Sequence, residues 1–177
     1  RESIRQICTC IDHASKITDR VTFHPGYISP VGKLMPQKVW ELQKEALRQI
    51  GTFAADHGVL ACLENMIGVK EFLCRRPEEL IGMTEGIEGI GMTFDFGHAN
   101  TMGMVNDFLP YVSRANHIHI HDNHGMSDEH LALGEGTINW KKVGNSVAAE
   151  YSGVVVIEGR SIEEAKKSLA VFRRDFT

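Results

Sequence analysis

The sequence predicts an α/β fold in which a parallel sheet is covered by helices. Short runs rich in β-branched and apolar residues alternate along the chain with longer amphipathic segments. Alternation of this kind is typical of parallel strands joined by crossover helices. We predict five strands, at residues 20–26, 58–65, 90–97, 116–122 and 153–159.

Helix start and stop signals lie between these strands. The segment 36–58 has Pro36 at its start, and Gly58 lies just after the predicted end of the helix, which is the usual asymmetry. The segment 76–86 begins with Pro77 followed by two glutamates, which the helix dipole favours in a first turn. Further helices are predicted at residues 1–17, 100–113, 139–151 and 161–176.

The last helix has its own start signal. Ser161 is followed three residues later by Glu164, a capping-box pattern.

The composition is that of a mildly acidic chain with an ordinary fraction of hydrophobic residues. It has 177 residues, a formal net charge of -4 and 42% hydrophobic residues, which suits a single domain over residues 1–177. No apolar run approaches the roughly 20 residues of a membrane span, so we expect a cytoplasmic protein without a membrane partner. The acidity argues against a surface built throughout for nucleic acid. The four cysteines lack CxxC spacing and are predicted to be reduced thiols.

Each predicted strand ends in a side chain of the type that binds metals. In a (β/α)8 barrel the carboxyl ends of all strands converge on one mouth, where the active site lies. An open sheet would spread the same residues along an edge. The sequence therefore favours the barrel, with these strand-end residues at its mouth: His24, Glu64, Asp95, His119 and Glu158.

The number of strands falls short of a complete barrel. Eight are needed and five are predicted, and the chain begins with Arg1 in a helix-like segment. We therefore expect this chain to be the C-terminal portion of a barrel that lacks about three N-terminal strands. Open strand edges invite pairing with another chain, so we also expect self-association or a missing N-terminal portion.

The mixture of imidazole and carboxylate predicts a divalent metal site. Zn, Mn, Co and Mg all accept such ligands, and no thiolate is present to favour a softer ion. Residues two apart in a strand share a face, so His117, His119 and His121 point the same way. We expect His119 to bind the metal, and His117 and His121 to have supporting or structural roles.

A glycine-containing loop after the fourth strand carries more ligand-type residues. Asp128 and His130 precede Gly134 and Gly136, whose backbone freedom permits tight turns. Such a loop can fold over the barrel mouth and bring Asp128 and His130 near the metal. Trp140 is predicted to start the next helix.

Several segments together resemble the xylose isomerase-like TIM-barrel superfamily (AP endonuclease family 2). This group includes sugar isomerases and epimerases and the endonuclease IV type of abasic-site nuclease. The resemblance rests on DxxH, HxxD, DxHxxLGxGxI and a strand-end Glu, which occur in order along nearly the whole chain. The segments are LENMIG (63–68), TFDFGHAN (93–100), HIHIHD (117–122), DEHLALGEGTINW (128–140) and VIEG (156–159).

The resemblance implies a sugar isomerase or epimerase. It assigns the shared metal to Glu64, Asp95, His119 and Glu158, and places His98 on substrate or on a further metal. In the epimerase branch, two glutamates equivalent to Glu64 and Glu158 act as acid and base on opposite faces of the sugar. The metal then stabilises an enediolate while a carboxylate moves the proton. The implied partner is a small sugar or sugar phosphate.

An abasic-site endonuclease with three zinc ions is the alternative that the resemblance leaves open. The matching residues are His24, Glu64, Asp95, His98, His119, Asp128, His130 and Glu158, all but one of the usual ligands. Against it, sugar isomerases share the ending around Asp128 and His130, and only 20 residues separate His98 from His119. DNA is a partner only under this alternative. A third possibility is a scaffold that has lost its site.

Overall fold

The computed structural model describes residues 1–176 and contains one parallel sheet. Each strand pairs with the next strand along the chain, in the order β1-β2-β3-β4-β5. A doubly wound sheet would reverse its order at a switch point. All five predicted strands are present, although each is shorter than predicted: β1 (Arg20–Phe23), β2 (Leu60–Glu64), β3 (Ile90–Asp95), β4 (His117–Ile120) and β5 (Val155–Ile157).

The sheet is strongly curled, as a barrel wall requires. Neighbouring strands lie about 4.8 Å apart, so side chains on β2 and β4 would be well separated in a flat sheet. Instead, His119 of β4 lies 2.7 Å from Glu64 of β2. Similarly, the hydroxyl oxygens of Thr22 on β1 and Thr93 on β3 are 2.8 Å apart. Five strands of a TIM barrel are therefore present, and their concave face gathers polar side chains.

Seven helices accompany the sheet within residues 1–176. The predicted start signals are used: Pro36 and Pro77 are the first residues of their helices, and Ser161 caps the last one by accepting a hydrogen bond from the backbone N–H of Glu164 at 3.2 Å. The helices are α1 (Glu2–Ala14), α2 (Pro36–Asp56), α3 (Pro77–Thr84), α4 (Phe96–Asn100), α5 (Val105–Phe108), α6 (Trp140–Glu150) and α7 (Ile162–Asp175).

The single helix predicted at residues 100–113 is wrong. This part of the chain contains the end of α4, then α5, then a 3-10 helix at Leu109–Arg114. Two residues explain the breaks. Gly103 adopts a left-handed backbone conformation (φ 66°), and Pro110 lacks the N–H that a continuing helix would use.

The hydrophobic core lies between the convex face of the sheet and the helices. Its largest buried side chains include Phe94, Phe96 and Phe108, and Trp140 at the start of α6 packs against the same cluster. The four cysteines are free, as predicted, and two of them are buried. Among the helices of residues 1–176, none has the combined length and apolarity needed to cross a bilayer. Because the helices pack on the convex face of the sheet, the concave face is left to the polar side chains.

Candidate metal centre

The predicted strand-end residues meet at one edge of the sheet. Glu64 and Asp95 are the last residues of β2 and β3, and His119 is the penultimate residue of β4. His24 and Glu158 directly follow β1 and β5. Because the strands are parallel, their carboxyl ends lie side by side, and the curl turns these side chains toward one another.

His119 lies at the centre of a first group of ligand-type side chains. Its Nδ1 atom is 2.7 Å from Oε1 of Glu64 and 2.9 Å from Oε1 of Glu158. The side chains of Glu64 and His119 are 3% and 10% exposed, so both polar groups are largely withdrawn from water. Glu64, Asp95 and His119 each offer a ligand atom, and these atoms lie within 4.8 Å of one another.

The buried atoms of this group fit a metal ion. Oε1 of Glu64, Oδ2 of Asp95 and Nδ1 of His119 are buried and have no properly oriented hydrogen-bond partner in residues 1–176. Ligand atoms that lie close together without hydrogen-bond geometry are arranged as they would be around a shared central cation. Leaving buried polar atoms unsatisfied costs about 1–3 kcal/mol each. Oxygen and imidazole donors are those that Zn, Mn, Co and Mg accept.

His24 and a cavity lie on the solvent-exposed side of this group. Nε2 of His24 lies 2.8 Å from Oε2 of Glu64, and the His24 side chain is 58% exposed. A cavity of about 280 Å³ is lined by Thr22, Phe23, His24, Glu64, His119 and Glu158. This volume is near the lower end of small-ligand pockets, about 300–1,000 Å³. A small polar molecule could therefore reach both glutamates.

The electrostatic environment of the first group favours the ionised forms of its histidine and its buried glutamate. Burial alone would lower the pKa of His119, but the carboxylates of Glu158 and Glu64 outweigh burial and raise it to about 10. Burial would raise the pKa of Glu64, but His119 and His24 hold it below its ordinary value. Without a metal, an imidazolium therefore supplies the positive charge between the two glutamates.

A second group of ligand-type side chains adjoins the first and shares Asp95. Nε2 of His121 lies 3.2 Å from Oδ1 of Asp95 and 3.4 Å from Oδ1 of Asp128. Nε2 of His98 lies 3.6 Å from Oδ2 of Asp128, while Nδ1 of His98 contacts the backbone oxygen of Asn65 at 2.8 Å. The side chains of Asp95 and His121 have no exposed surface.

The loop that carries Asp128 and His130 does fold over the strand ends. Nε2 of His130 is 3.2 Å from Oδ2 of Asp128, and its Nδ1 is 3.7 Å from Oε2 of Glu158. His130 adopts a left-handed backbone conformation (φ 50°), which is uncommon for a residue with a side chain and often marks a functional loop. His121, His130 and Glu158 form a third, less buried group that could hold an ion.

Asp122 holds this loop in place. Its carboxylate accepts hydrogen bonds from the backbone N–H groups of Gly134 at 2.9 Å and Ile138 at 3.3 Å, and from the indole N–H of Trp140 at 2.8 Å. Its backbone pairs with Leu131 in an antiparallel bridge. Asp122 is the last residue of the HIHIHD segment (117–122), but it lies in none of the three groups.

Two residues of the site were missed or undervalued by sequence reasoning. His121 was expected to be supporting or structural, yet it lies in two of the three groups. Its position two residues after His119 on the same strand face was the available signal. Asn65 follows Glu64 directly and contacts both Asp95 and His98, but no sequence pattern pointed to it.

Cavity size alone would locate the site elsewhere. A larger cavity of about 370 Å³ lies at the opposite edge of the sheet, where Ile90 and Gly91 begin β3, beside Arg114 and Asn116. None of the three groups of potential metal ligands contributes to its lining. The clustering of buried ligand-type side chains identifies the carboxyl edge as the candidate site.

The family follows from comparison of the whole chain with known proteins. Residues 1–175 match the model of the family described as Xylose isomerase-like TIM barrel. The chain belongs to this family. A relative in Methanocaldococcus jannaschii, Uncharacterized protein MJ1311, is 35% identical over 160 residues, which is 86% of this chain and 55% of MJ1311. The chain thus spans about half the length of that relative.

Several solved structures share this fold. A D-tagatose 3-epimerase-like protein is 33% identical with a TM-score of 0.90, over 97% of this chain and 67% of that one. The IOLI protein with a bound zinc atom is 17% identical with a TM-score of 0.79, covering 98% and 70%. Endonuclease IV from Thermus thermophilus is 21% identical with a TM-score of 0.71, covering 97% and 67%. The last two likenesses show the fold alone.

Proposed function

We propose that this chain carries the active site of a divalent-metal-dependent sugar or sugar-phosphate isomerase or epimerase. The observation that supports it is the position of Glu64 and Glu158, whose carboxylates approach one nitrogen of His119 from two different strands beside an open cavity. Two carboxylates in one polar cavity are suited to moving a proton on and off the carbon next to a carbonyl. The D-tagatose 3-epimerase-like neighbour agrees with this proposal.

Glu64, Asp95, His119 and Glu158 are the residues proposed to hold the ion. When bound, a divalent ion polarises the carbonyl and hydroxyl oxygens of a ketose and makes the neighbouring C–H more acidic. The proposed ion is Zn, Mn, Co or Mg, because all four accept the carboxylate and imidazole donors present.

Glu64 and Glu158 are proposed as the two proton carriers. The depressed pKa of Glu64 keeps it a carboxylate at neutral pH, which is the form that removes a proton. The Glu158 side chain is 29% exposed against 3% for Glu64, so Glu158 exchanges protons with water more readily. Return of the proton to the opposite face of the same carbon inverts it. Return to the adjacent carbon interconverts ketose and aldose.

His24 and His130 are proposed to contact the substrate. His24 lines the cavity and is the most exposed of the site histidines that contact Glu64. His130 lies on the loop that covers the strand ends and approaches Glu158 from the other side. Both imidazoles can therefore donate to or accept from sugar hydroxyls at the rim of the site.

A zinc-dependent abasic-site endonuclease is the second candidate. The observation that favours it is the crowding of a second group, Asp95, His98, His121 and Asp128, against the first. Clustered metal ions suit phosphodiester hydrolysis because they clamp the attacking and leaving oxygens. DNA would be the partner in that case.

Paired assays of the metal-loaded protein separate these candidates. We expect Mn-, Co-, Mg- or Zn-loaded protein to interconvert ketoses or ketose phosphates in a substrate panel, and to leave a duplex with one abasic site intact. Glu158→Gln should abolish interconversion and lower metal content, whereas the exposed Glu45→Gln on α2 should change neither. Cleavage of the abasic duplex without sugar turnover would replace the proposal with the second candidate. Loss of both activities in metal-loaded protein would favour a scaffold.

Cytoplasmic location and self-association stay predictions from the sequence. Both edge strands, β1 and β5, have one hydrogen-bonded neighbour each within residues 1–176. Cell fractionation tests the location. Light scattering of the purified protein tests association, and a monodisperse monomer would contradict it.

A further inference from the structure

We propose that Ser168, in the middle of α7, is a positioning residue that holds His130 beside Glu158. Ser168 does not line the cavity of the site and acts through the loop that follows β4. The proposal rests on the proposed function, in which His130 contacts the substrate. It deepens that function by naming the residue, on a helix outside the site, that sets where His130 lies.

Ser168 is a buried polar residue on a largely exposed stretch of α7. It is 1% exposed, whereas its neighbours 166–167 and 169–170 are exposed. Inside a helix a serine is less favourable than an alanine, and a buried hydroxyl needs a hydrogen-bond partner. The partner is the backbone N–H of Leu133, which donates to Oγ of Ser168 at 3.1 Å. Leu133 is itself buried, so the hydroxyl satisfies a loop N–H that solvent cannot reach.

The turn that contains Leu133 packs against α7. The N–H of Glu135 donates to the carbonyl oxygen of Ala132 at 3.0 Å, which closes the turn. On the surface, Nζ of Lys167 lies 2.7 Å from Oε1 of Glu135. Exposed ion pairs of this kind contribute little stability, whereas a buried donor without an acceptor is costly. The buried hydrogen bond of Ser168 is therefore the stronger link between the turn and the helix.

The same turn fixes the backbone that follows His130. Leu131 exchanges two backbone hydrogen bonds with Asp122, at 2.8 and 2.9 Å, and Leu133 is held by Ser168 two residues later. The chain directly after His130 is thus anchored to the sheet at one residue and to α7 at another. His130 has a left-handed backbone conformation (φ 50°), which persists in a residue with a side chain only where its surroundings fix it. We assign part of that constraint to Ser168.

The helix that carries Ser168 also begins close to Glu158. Ser161, three residues after Glu158, caps α7 by accepting a hydrogen bond from the N–H of Glu164 at 3.2 Å. Helix α7 is thus joined to Glu158 at its start and to the loop at Ser168, about two turns further on. Nδ1 of His130 lies 3.7 Å from Oε2 of Glu158. One rigid helix therefore sets the separation of these two side chains.

Kinetics of single and double variants test the positioning role. In metal-loaded protein we expect Ser168→Ala to raise KM for a ketose about 10-fold with kcat nearly unchanged, because a displaced His130 binds the ground state and the transition state equally less well. His130→Ala should raise KM at least as much. Ser168→Ala added to His130→Ala should change nothing further, because residues that act through one contact are not additive. A further loss in the double variant would overturn the proposal.

Phe172→Leu is the matched control on the same helix. The Phe172 ring stacks on the Phe176 ring, with centroids 4.5 Å apart, so the smaller side chain loosens the packing of α7 and keeps the hydroxyl of Ser168. We expect this variant to unfold at a lower urea concentration than the wild-type protein, with KM and kcat unchanged. A rise in KM equal to that of Ser168→Ala would assign the effect to loosening of α7 in general and would overturn the role of Ser168.

NMR of Ser168→Ala decides the same question without turnover. The His130 ring stacks on the His121 ring, with centroids 3.9 Å apart, so its protons carry a ring-current shift. We expect these resonances to move toward those of an unstacked histidine, and the Leu133 amide to exchange about 10-fold faster after loss of its acceptor. If the wild-type protein turns over no ketose, the proposed function fails and this measurement still stands. Unchanged His130 resonances together with wild-type exchange at Leu133 would overturn the role of Ser168.

Discussion

The side-chain amide of Asn65 forms two hydrogen bonds with the backbone of Asp95. Its Oδ1 accepts a hydrogen bond from the Asp95 N–H at 2.8 Å, and its Nδ2 donates to the Asp95 carbonyl at 2.9 Å. Asn65 is completely buried and directly follows Glu64. One amide therefore fixes the distance between two of the proposed metal ligands.

Substitution of Asn65 should weaken metal binding more than its lack of direct contact suggests. Asn65→Asp keeps the size of the side chain, removes the donor to Asp95 and adds a buried carboxylate. We expect a 10- to 100-fold loss of zinc affinity, about the effect of losing a residue that orients a ligand, measured by competition with a chelator. The exposed Asn106→Asp serves as the control. Wild-type affinity in Asn65→Asp would contradict the positioning role.

Two glycine-to-alanine substitutions should have opposite effects. A Cβ at Gly97 would lie 2.0 Å from Cε1 of the buried His121 ring, whereas a Cβ at Gly82 in α3 would meet only Trp40 at 3.8 Å. Both glycines are helical, so helix propensity alone favours alanine by about 1 kcal/mol. We expect Gly82→Ala to raise the free energy of unfolding by about 0.5–1 kcal/mol, and Gly97→Ala to lower it by about 1–3 kcal/mol.

Urea unfolding of both alanine variants measures this difference. Equal stabilisation by the two substitutions would show that the His121 ring moves aside without cost, which would contradict the packing described for it.

Asp122 should be essential for the loop although it binds no metal. Asp122→Ala leaves the backbone N–H of Ile138 and the indole N–H of Trp140 without their acceptor, at about 1–3 kcal/mol for each buried donor. We expect a loss of about 2–4 kcal/mol in the free energy of unfolding and faster proteolysis within residues 123–139. Asp56→Ala, at the exposed end of α2, should have little effect. Wild-type stability of Asp122→Ala would contradict this role.

The metal-free protein should be most stable in mildly acidic solution. Burial opposes charge on His98 and His119, but Asp95 beside His98 and the carboxylates of Glu158 and Glu64 beside His119 raise both pKa values to about 10. Their stabilisation is complete below the unfolded value of 6.5 and is lost as the pH rises toward 10. Burial raises the pKa of Asp95, but His98 and His121 outweigh it and hold that pKa well below 3.8, so its stabilisation is present above 3.8 and is lost in acid.

Urea unfolding in chelator across pH 4 to 9 measures this dependence. We expect a maximum between about pH 4.5 and 6.5 and a decline of up to about 1.4 kcal/mol per pH unit for each histidine above it. Zinc should remove the part of the decline that depends on His119, because the proposed ion would replace the proton on that imidazole. Stability that increases steadily to pH 9 in chelator would contradict the charge states assigned to His98 and His119.

The strands and the carboxyl edge could be predicted from the sequence because both depend on local pattern. Alternation of apolar runs and helix signals gives the order of elements, and residues at strand ends of a parallel sheet must share an edge. Glu64, Asp95 and His119 are brought together for that reason. Pro110 lies inside the segment 100–113, and a proline at that position is itself a local signal against one continuous helix.

The partners of individual side chains could not be predicted in the same way. Strand alternation places His119 and His121 on one face but does not say which neighbours each meets, because that depends on the curl of the sheet. Asp122 follows His121 directly, yet its carboxylate turns to the Trp140 indole instead of the metal site. Asn65 contributes through hydrogen bonds from its side-chain amide to the backbone of the next strand. A contact of this kind between strands leaves no pattern in the local sequence.

Deuterium exchange into substrate tests the central proposal most directly. Metal-loaded protein is incubated in D₂O with the ketose or ketose phosphate that it binds most tightly, and NMR follows the proton on the carbon next to the carbonyl. We predict exchange by the wild-type protein and at least about a 100-fold slower exchange, the usual contribution of a general base, in metal-loaded Glu64→Gln, which lacks the carboxylate proposed to remove the proton. Exchange that persists at the wild-type rate in metal-loaded Glu64→Gln would contradict the assignment of Glu64 as the group that removes the proton.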